Sequence, residues 1–503
     1  MARPGLGVRF VTLAACGLTA LGLLCPKPAT AQESWDAIYI GKSKVGHMHV
    51  RVEPVKDAQG RDLVRVRVDW ELTFKRGKDQ AKTQLAYGTI EKPDGTVLRL
   101  DTRTLTSQDS IRTSGEVDED KQTMTLTIES GGQSQQQVIP WTPDVRGPYG
   151  AEMSLARQPI EPGQTREIKT YIPDLNQVCL TKLTAKAKES VKLGGESRSL
   201  LKIDQMISDI KGKPLPGMHS TLWVDDGGQI LKSSTDLVGN MLTYRTTKEG
   251  ALAPDGGDFD LLARSIIRVP QRITEQERRR DILYRITVRD DDPTTLLPND
   301  RRQTVVKQKG AAPGTVQLDV RTAGPNAGSP GPEQVDSQFI RPNPLVDSSN
   351  SLVVKAMNKA TAGKNDPWSK AVAIVEWVAE NVKSKNFNTA FAPAGEVARD
   401  LSGDCSEHSV LTAAMCRASG IPARCVVGLV YVDHLGGFGF HMWNEVYVNR
   451  RWVAIDSAYR QSEVDATHIK LSDTSLDGVA PFEALLPVIR VFDKMKIEPL
   501  ELR

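Results

Sequence analysis

The stretch Gly-Asp-Cys-Ser-Glu-His at residues 403–408 decides the fold of the C-terminal part of the chain. Asp404 can cap a helix, and Glu407, three residues later, can complete a capping box, so the stretch predicts a helix that begins at Cys405. An apolar run with helical spacing follows as far as Gly420. A thiol in the first turn lies among unpaired N–H groups at the positive end of the helix dipole, which favours the thiolate. The alternative is a buried structural cysteine, the usual role of a lone cysteine on a helix.

A histidine and an aspartate follow on predicted strands. His441 opens the run His-Met-Trp-Asn-Glu-Val-Tyr-Val, and the next run, Trp-Val-Ala-Ile, ends at Asp456. If Asn449 and Arg450 form a two-residue hairpin turn, Asp456 is a diagonal neighbour of His441 on one face of the sheet. An imidazole can then activate the Cys405 thiol, while the carboxylate fixes the orientation of the ring. Asp404 beside the thiol opposes thiolate formation, so His441 has to supply much of the activation.

Other residues could take these roles. His408 lies three residues along the helix from Cys405, so spacing alone does not exclude it as the base. Asp433 and His434 precede a Gly-Gly pair in a predicted loop, for which a surface position is preferred. A metal site of His408, His434 and His441 with carboxylates is disfavoured, because these histidines lack a recognised ligand spacing.

The sequence blocks around these residues resemble the transglutaminase-like superfamily of papain-type folds. The resemblance covers about residues 366–459, and its blocks are 403–409, 417–424, Gly428, 441–447 and 452–456. It implies Cys405 as nucleophile, His441 as base and Asp456 as the orienting residue, with Asp404 and Trp443 beside the site or the substrate. Active members share an acyl-thioester step and include protein cross-linking enzymes, amide hydrolases and peptidases; other members have lost activity.

Three positions, in two places, depart from the pattern of that superfamily. Met442 follows the histidine where alanine is more frequent, and Ser457-Ala458 follows the aspartate where Pro-Thr is more frequent. Neither change removes a group with a chemical role. The resemblance leaves open whether water or an amine takes the acyl group, because that depends on how the closed site excludes water.

Composition excludes some classes of partner. The 503 residues carry 65 basic and 62 acidic side chains, a net charge of +3, which gives no reason to expect nucleic acid or an anionic membrane as partner. We find no Asp-rich loop with calcium-ligand spacing, so no cofactor or metal is expected. The expected partner is a protein or peptide substrate.

The N-terminus has the pattern of a targeting segment. Early arginines, an apolar stretch at residues 10–24 and small residues at 29–31 predict a signal peptide over residues 1–31. The apolar stretch is short for a membrane span. Residues 13–16 resemble a bacterial lipobox, so a lipid anchor or an uncleaved anchor is the alternative. We expect an exported protein, periplasmic or secreted, with no membrane span in the mature chain.

Four cysteines remain after the predicted signal peptide: Cys179, Cys405, Cys416 and Cys425. This number is no disulfide framework for so long a chain. Cys416 and Cys425 lie on a predicted helix and the next strand, so they form either a disulfide or two buried thiols.

The region before the candidate site has a β pattern. Apolar and polar residues alternate over residues 64–74, which predicts a long half-buried strand, and turn signals separate further runs. An antiparallel sheet, as a curved open sheet or a partial barrel, fits best. His47 and His49 share one strand face; an exposed strand face is preferred over a metal pair. The partner of this region is not indicated.

These patterns predict a multidomain protein with an antiparallel all-β N-terminal part and an α+β, transglutaminase-like C-terminal core. The predicted segments are a signal peptide (1–31), an antiparallel β domain (32–250), a small β domain or extension (251–322), a Pro/Gly-rich linker (323–348) and a catalytic domain (349–503). The expected function is cysteine-dependent acyl transfer on protein or peptide amide bonds, by cross-linking, deamidation or hydrolysis. A noncatalytic scaffold or binding protein is the alternative.

Overall fold

The N-terminal part of the chain is built mainly of β-strands. The structure, a computed structural model, describes residues 31–76, 79–105, 110–130, 133–236, 240–254, 260, 264–327, 331, 335–383, 392–477 and 481–502. The predicted signal peptide therefore lies outside the described residues, apart from Ala31. The strands of the N-terminal part are β1 (Gln32–Ile40), β2 (Ser43–Lys56), β3 (Asp62–Arg76), β4 (Asp79–Glu91), β5 (Val97–Leu105), β6 (Ser110–Asp118), β7 (Thr123–Ser130), β8 (Gln133–Pro140), β9 (Val145–Arg146), β10 (Thr165–Ile172), β11 (Gln177–Leu193), β12 (Glu196–Ser208), β13 (Pro214–Val224), β14 (Ile230–Thr235) and β15 (Met241–Thr246).

These fifteen strands form one sheet in the order β8-β7-β6-β5-β4-β3-β2-β1-β15-β14-β13-β12-β11-β10-β9. The pairs are antiparallel except β9 with β10. The predicted antiparallel sheet is confirmed, and so is the strand at residues 64–74, whose Val64, Val66 and Val68 are buried. Helix α1 (Gly150–Arg157) lies between β9 and β10 in the chain.

The sheet is strongly curved. Val97 of β5 and Leu126 of β7 share a core cluster with Val145 of β9 and Tyr171 of β10, which lie toward the opposite end of the strand order. Such contacts require the two ends of the sheet to approach each other. The prediction of a curved sheet rather than a flat one therefore agrees with the packing.

The two histidines of β2 pack beside a tryptophan of β1. The rings of His49 and Trp35 stack with centroids 3.8 Å apart, and His49 Nε2 lies 2.8 Å from Glu33 Oε1. The ring of His47 lies 6.0 Å from that of Trp35. The side chain of His49 is only 15% exposed, so this strand face is more enclosed than the sequence suggests.

Residues 251–322 pair with the C-terminal part of the chain. Their elements are α2 (Lys248–Leu252), β16 (Ile267–Arg268), α3 (Glu275–Arg278), β17 (Ile282–Val288), β18 (Gln303–Val306) and β19 (Thr315–Val320). A four-stranded sheet in the order β18-β19-β17-β24 ends in β24 (Met495–Leu502). The domain boundaries drawn from the sequence stay predictions. The strands of this segment pair with the C-terminal part, while Asp260 bridges Lys75 of β3 and the Ala251 carbonyl oxygen accepts from Lys44 of β2.

The segment predicted as a linker also packs against the C-terminal part where it is described. The guanidinium of Arg301 donates to the carbonyl oxygen of Gly324 at 3.2 Å, and the Gly331 N–H donates to the carbonyl oxygen of Arg450 at 2.6 Å. Leu345 and Val346 are buried in the main core. The composition predicted a linker over residues 323–348, and Leu345 and Val346 within that segment contribute apolar side chains to the core.

The C-terminal core combines helices with an antiparallel sheet. Its remaining elements are α4 (Ser351–Ala360), α5 (Pro367–Asn381), α6 (Ala394–Asp400), α7 (Cys405–Ala418), β20 (Ala423–Val432), β21 (Gly437–Val448), β22 (Arg451–Ile455), β23 (His468–Thr474) and α8 (Pro481–Val491). The sheet has the order β16-β21-β20-β23, with β22 also paired to β21. The predicted α+β core is confirmed.

Helix α5 begins as its sequence predicts. Asp366 caps it by accepting a hydrogen bond from the Ser369 N–H at 2.9 Å, and Pro367 is its first residue. Its buried Ile374 and Val378 face α7 across the core. Among the helices that the structure describes, none is both long and apolar enough to cross a membrane.

Candidate active site

The candidate nucleophile lies at a capped helix start. Cys405 is the first residue of α7; Asp404 accepts from the Ser406 N–H at 2.9 Å, and Glu407 accepts from the Asp404 N–H at 2.9 Å. The predicted capping box is confirmed. Gly403 has a φ of 154°, and a Cβ there would lie 2.2 Å from the Glu407 Cβ, so only glycine lets the chain enter the cap this closely.

The cap carries less negative charge than its sequence suggests. Burial, followed by the neighbouring charge of Asp404, raises the pKa of Glu407 to about 8. Its Oε1 also accepts from the buried Ala392 N–H at 3.0 Å, which ties the loop before α6 to the cap. The raised pKa favours the neutral form of Glu407, which weakens the electrostatic opposition to a thiolate at Cys405.

The hairpin turn brings His441 and Asp456 together. Val448 pairs with Arg451, so Asn449 and Arg450 form a two-residue turn, with φ values of 49° and 60° that are typical of a type I′ turn. The predicted turn is confirmed. His441 Nε2 lies 2.7 Å from Asp456 Oδ2, and both side chains are buried.

Four hydrogen bonds hold the Asp456 carboxylate. Oδ2 accepts from Nε2 of His441 at 2.7 Å and from Nε2 of His468 at 3.0 Å. Oδ1 accepts from the backbone N–H groups of Ala458 at 2.8 Å and Tyr459 at 3.1 Å. Burial opposes ionisation, but the charge and hydrogen bond of His441 and the bond from His468 hold the pKa of Asp456 well below its usual range. The carboxylate is thus fixed in position and charge.

The same contacts determine the state of His441. Burial lowers its pKa, but the charge and hydrogen bond of Asp456, together with a hydrogen bond to the Cys405 side chain, outweigh burial and raise it to about 9. Because Nε2 is bonded to Asp456, Nδ1 is the nitrogen left to face the thiol. This arrangement can hold a proton between a sulfur and an imidazole, as an activated thiol requires.

Hydrogen bonds between α7 and the strands keep the cysteine in register with the histidine. Ser409 Oγ donates to the carbonyl oxygen of Trp443 at 2.9 Å, and Asn444 Nδ2 donates to that of Ser409 at 2.9 Å. The hydroxyl oxygens of Thr412 and Ser457 lie 2.8 Å apart. The helix therefore cannot slide along β21 without breaking buried hydrogen bonds, each of which contributes roughly 1 kcal/mol.

Sequence reasoning missed His468. It lies on β23, which pairs with β20, and its Nδ1 lies 3.3 Å from Asp465 Oδ1 while Nε2 contacts Asp456. Burial lowers its pKa, but hydrogen bonds to the two carboxylates raise it overall. Asp456 Oδ2 therefore lies between Nε2 of His441 and Nε2 of His468. The only local signal for His468 was its position in an alternating strand pattern, two residues before Lys470 on β23.

Trp443 reaches across the sheet to this histidine. The ring centroids of Trp443 and His468 are 5.2 Å apart in an edge arrangement, and those of Trp443 and His441 are 6.1 Å apart. The indole passes over Gly428, where a Cβ would lie 2.6 Å from Trp443 Cη2 and 2.2 Å from the Ile469 carbonyl oxygen. A glycine on β20 is therefore needed for the tryptophan to cover the two imidazoles.

Replacing Gly428 with alanine is expected to destabilise the protein by about 1–3 kcal/mol, because the added methyl group has no space to occupy. The measurement is the free energy of unfolding from urea denaturation. Gly439→Ala on β21 is the matched control, since its Cβ would meet only side-chain atoms, at 3.2 Å or more. An equal loss in both variants would show that the indole does not require Gly428.

The other candidate residues take different positions. His408 Nδ1 donates to the Asp404 carbonyl oxygen at 2.7 Å, within its own helix. Asp433 pairs with Arg278 at 3.0 Å, and His434 lies in the same exposed 3₁₀ turn. These contacts favour His441 over His408 as the base, and they place Asp433 and His434 on the surface, as preferred from the sequence.

One group in the described part of the chain could hold a metal ion. The ligand atoms of His441, Asp456 and His468 lie within 4.8 Å of one another. A metal there would replace the two N–H protons that now bind Asp456 Oδ2. His408, His434 and His441, for which the sequence disfavoured a metal site, do not form such a group among the described residues. The expectation that no cofactor is needed stays a prediction.

None of the four cysteines that the structure describes forms a disulfide. Cys416 and Cys425 do not form the disulfide that the sequence left open; both are buried in the main core. Burial raises the pKa of Cys416 to about 12 and also raises that of Cys425. Cys405, in contrast, is partly accessible.

Comparison with known proteins agrees with the resemblance described above. Residues 355–457 match the family model of the transglutaminase-like superfamily. No curated protein matches this chain. A proposed cysteine protease from Cytophaga hutchinsonii is 16% identical over 44% of this chain and 86% of its own, with a TM-score of 0.30. A beta-barrel-like protein of a domain of unknown function from Brucella abortus is 9% identical over 43% of this chain and 96% of its own, with a TM-score of 0.31. These structural likenesses carry no argument about function.

Proposed function

We propose that this protein is an exported cysteine-dependent enzyme that transfers acyl groups from amide bonds of proteins or peptides. Cys405 is the nucleophile, His441 the general base and acid, and Asp456 the residue that orients His441. The observation that carries the proposal is the buried His441–Asp456 pair, held by fixed hydrogen bonds and facing a thiol at a helix N-terminus. The match of residues 355–457 to the superfamily supports it.

The proposed reaction has two steps. The Cys405 sulfur attacks the carbonyl carbon of the amide, the C–N bond breaks, and His441 gives its proton to the departing nitrogen, which leaves a thioester. A water molecule or a primary amine then attacks the thioester carbon, His441 takes the proton from the attacking atom, and the thiolate is restored. The N–H of Cys405, which has no partner within its helix, is placed to stabilise the oxyanion in both steps.

Iodoacetamide at neutral pH is expected to modify Cys405 at least tenfold faster than Cys179, Cys416 or Cys425. The expectation follows because Cys405 is partly accessible and bonded to His441, while the other three are buried. Peptide mapping by mass spectrometry at several times measures each rate. His441→Gln is expected to slow the reaction of Cys405, while His434→Gln in the exposed turn is the matched control. If Cys405 reacts no faster than a free thiol in solution, the proposal is wrong.

The acceptor of the acyl group requires an activity profile. A glutamine-containing protein is offered with and without a primary amine, and ammonia release, amine incorporation and chain cleavage are followed together. Amine incorporation assigns cross-linking chemistry, ammonia release alone assigns deamidation, and cleavage assigns a peptidase. If Cys405→Ala leaves all three readouts and the cellular phenotype unchanged, the chain is a scaffold and not an enzyme.

The proposed export rests on the leader pattern of residues 1–31. N-terminal sequencing of the protein recovered outside the cytoplasm tests it, and a first residue near Gln32 is expected. A protein that retains Met1 and stays in the cytoplasm would contradict it.

A further inference from the structure

A cavity in the N-terminal sheet lies apart from Cys405. It has a volume of about 270 Å³ and is lined by eight consecutive strands of the sheet order, from β4 through β1 and β15 to β12. Helix α1, with Tyr149 and Glu152, lines the same space. Because β4 and β12 stand at opposite ends of this run, the curvature of the sheet brings them around one enclosed region.

Most of the lining is apolar. Side chains from seven strands contribute the apolar wall: Met48, Trp70, Leu85, Tyr87, Ile207, Met218, Leu222, Ile230 and Met241. Long, flexible methionine side chains adapt to ligands of irregular shape. A wall of this composition is suited to the body of a small apolar molecule.

Polar groups converge on the same cavity. Arg245 Nε donates to Asp36 Oδ1 at 2.9 Å, and the Asp36 side chain is only 4% exposed. The other carboxylate oxygen of Asp36 and Oε2 of Glu152 are buried and have no hydrogen-bond partner among the described residues. Two carboxyl groups thus lie near one guanidinium, with one oxygen of each left without a bond.

Two further lining residues have the same deficit. Trp70 Nε1 and Gln205 Oε1 are buried without a partner in the part of the chain that the structure describes. A buried polar group without a hydrogen bond costs about 1–3 kcal/mol, so four around one cavity are unusual. Three of the four atoms are oxygens, which accept hydrogen bonds. The deficit is therefore mainly one of donors.

We propose that this cavity binds a small molecule with an apolar body and a primary ammonium group, which donates to Asp36, Glu152 and Gln205. The ammonium group has three N–H donors, the number that the three oxygens lack. Arg245 is bonded to Asp36, and the ammonium group of Lys232, the other cation of the lining, lies over the Trp223 ring, 4.3 Å from its centroid. The positive charge of the ligand therefore balances the second carboxyl group. The assignment is independent of the chemistry at Cys405.

The state of Glu152 agrees with this assignment. Burial, assisted by the charge of Asp36, raises the pKa of Glu152 to about 7, although Arg245 opposes the rise. A carboxyl group in that condition gains from a cation, because the cation restores the ionised form that burial disfavours.

Calorimetric titration of the full-length protein with n-octylamine, n-octanol and octanoate tests the proposal. The three probes share one chain and differ only in the head group. We expect octylamine to bind at least tenfold more tightly than octanol, and octanoate to bind more weakly than both. Glu152→Gln is expected to weaken octylamine binding about tenfold, while Glu116→Gln, on an exposed side chain of β6, leaves it unchanged.

Met218→Trp fills the cavity and is expected to abolish binding of all probes without loss of the folded state, which circular dichroism checks. If Met218→Trp and Glu152→Gln both bind octylamine as the native protein does, the molecule binds elsewhere. If octanoate binds as tightly as octylamine, or no probe binds, the assignment is wrong. Alkylation of Cys405 is measured in the same samples and is expected to be unchanged, so the outcome is separate from that of the proposed function.

Discussion

Replacing Asp456 with asparagine is expected to lower the acyl-transfer rate by roughly 10³- to 10⁴-fold. The carboxylate Oδ2 accepts hydrogen bonds from Nε2 of His441 and Nε2 of His468. An amide nitrogen at that place donates a hydrogen bond to His441 Nε2, so that the proton of the neutral ring lies on Nδ1. The nitrogen that faces Cys405 then carries a hydrogen and cannot take another proton.

The measurement is kcat/KM with the substrate that the activity profile identifies, together with thermal unfolding to show that Asp456→Asn is folded. Asp433→Asn is the matched control, because Asp433 lies in the exposed turn after β20 and is expected to matter little. His468→Gln is expected to cost much less than Asp456→Asn, since glutamine still donates one N–H to Asp456. Equal rates for Asp456→Asn and the native protein would remove Asp456 from the mechanism.

Local patterns predicted much of the candidate site. The capping box at Asp404 and Glu407 involves residues three apart, and the hairpin at Asn449 involves residues directly joined by the turn. Because these interactions join residues that are close in sequence, residue type and spacing are enough to predict them. The alternation of β3 is equally local. These elements are the ones that sequence reasoning described correctly.

Long-range pairing supplied what the sequence did not indicate. His468 reaches Asp456 because β23 pairs with β20, and the hairpin of β21 and β22 separates those two strands in the chain. Strand β17 pairs with β24, more than 200 residues later. Nothing in the composition of either strand specifies its partner, because many apolar alternating strands are equally compatible. For the same reason, the sequence did not indicate that Leu345 and Val346 are buried.

Sequence reasoning also did not predict the charge state of Glu407 in the cap of α7. The sequence indicated the charge of Asp404 beside the thiol and gave Glu407 only as a partner in the capping box, but the structure buries Glu407 and raises its pKa to about 8. Burial depends on the loop before α6, which supplies the Ala392 N–H. The electrostatics of the cap therefore follow from tertiary packing and not from the capping motif.

As the pH rises from about 6.5 to above 9, the contribution of His441 to the free energy of unfolding is expected to fall by roughly 3 kcal/mol. Burial lowers the pKa of His441, but Asp456 and Cys405 raise it from 6.5 to about 9 in the folded state. A raised pKa means that the folded state binds the proton more tightly. The stabilisation is complete below pH 6.5 and is lost as the pH passes through about 9.

Other groups change in the same direction, so the effect of His441 has to be isolated. Glu407, with a pKa of about 8, and Glu152, with a pKa of about 7, also favour the folded state at lower pH, and His468 has a raised pKa. These three groups are present in both the native protein and His441→Gln. The difference in free energy of unfolding between the two proteins therefore reports on His441.

Urea denaturation at half-unit steps from pH 6 to 9.5 measures this difference. It is expected to be largest at pH 6 and to shrink by roughly 3 kcal/mol at the alkaline end, because deprotonated His441 no longer pairs with the Asp456 charge. His434→Gln, on the exposed turn, is the control and is expected to follow the native protein at every pH. A difference that stays constant over this range would mean that Asp456 does not raise the pKa of His441. The orienting role of the carboxylate would then need other evidence.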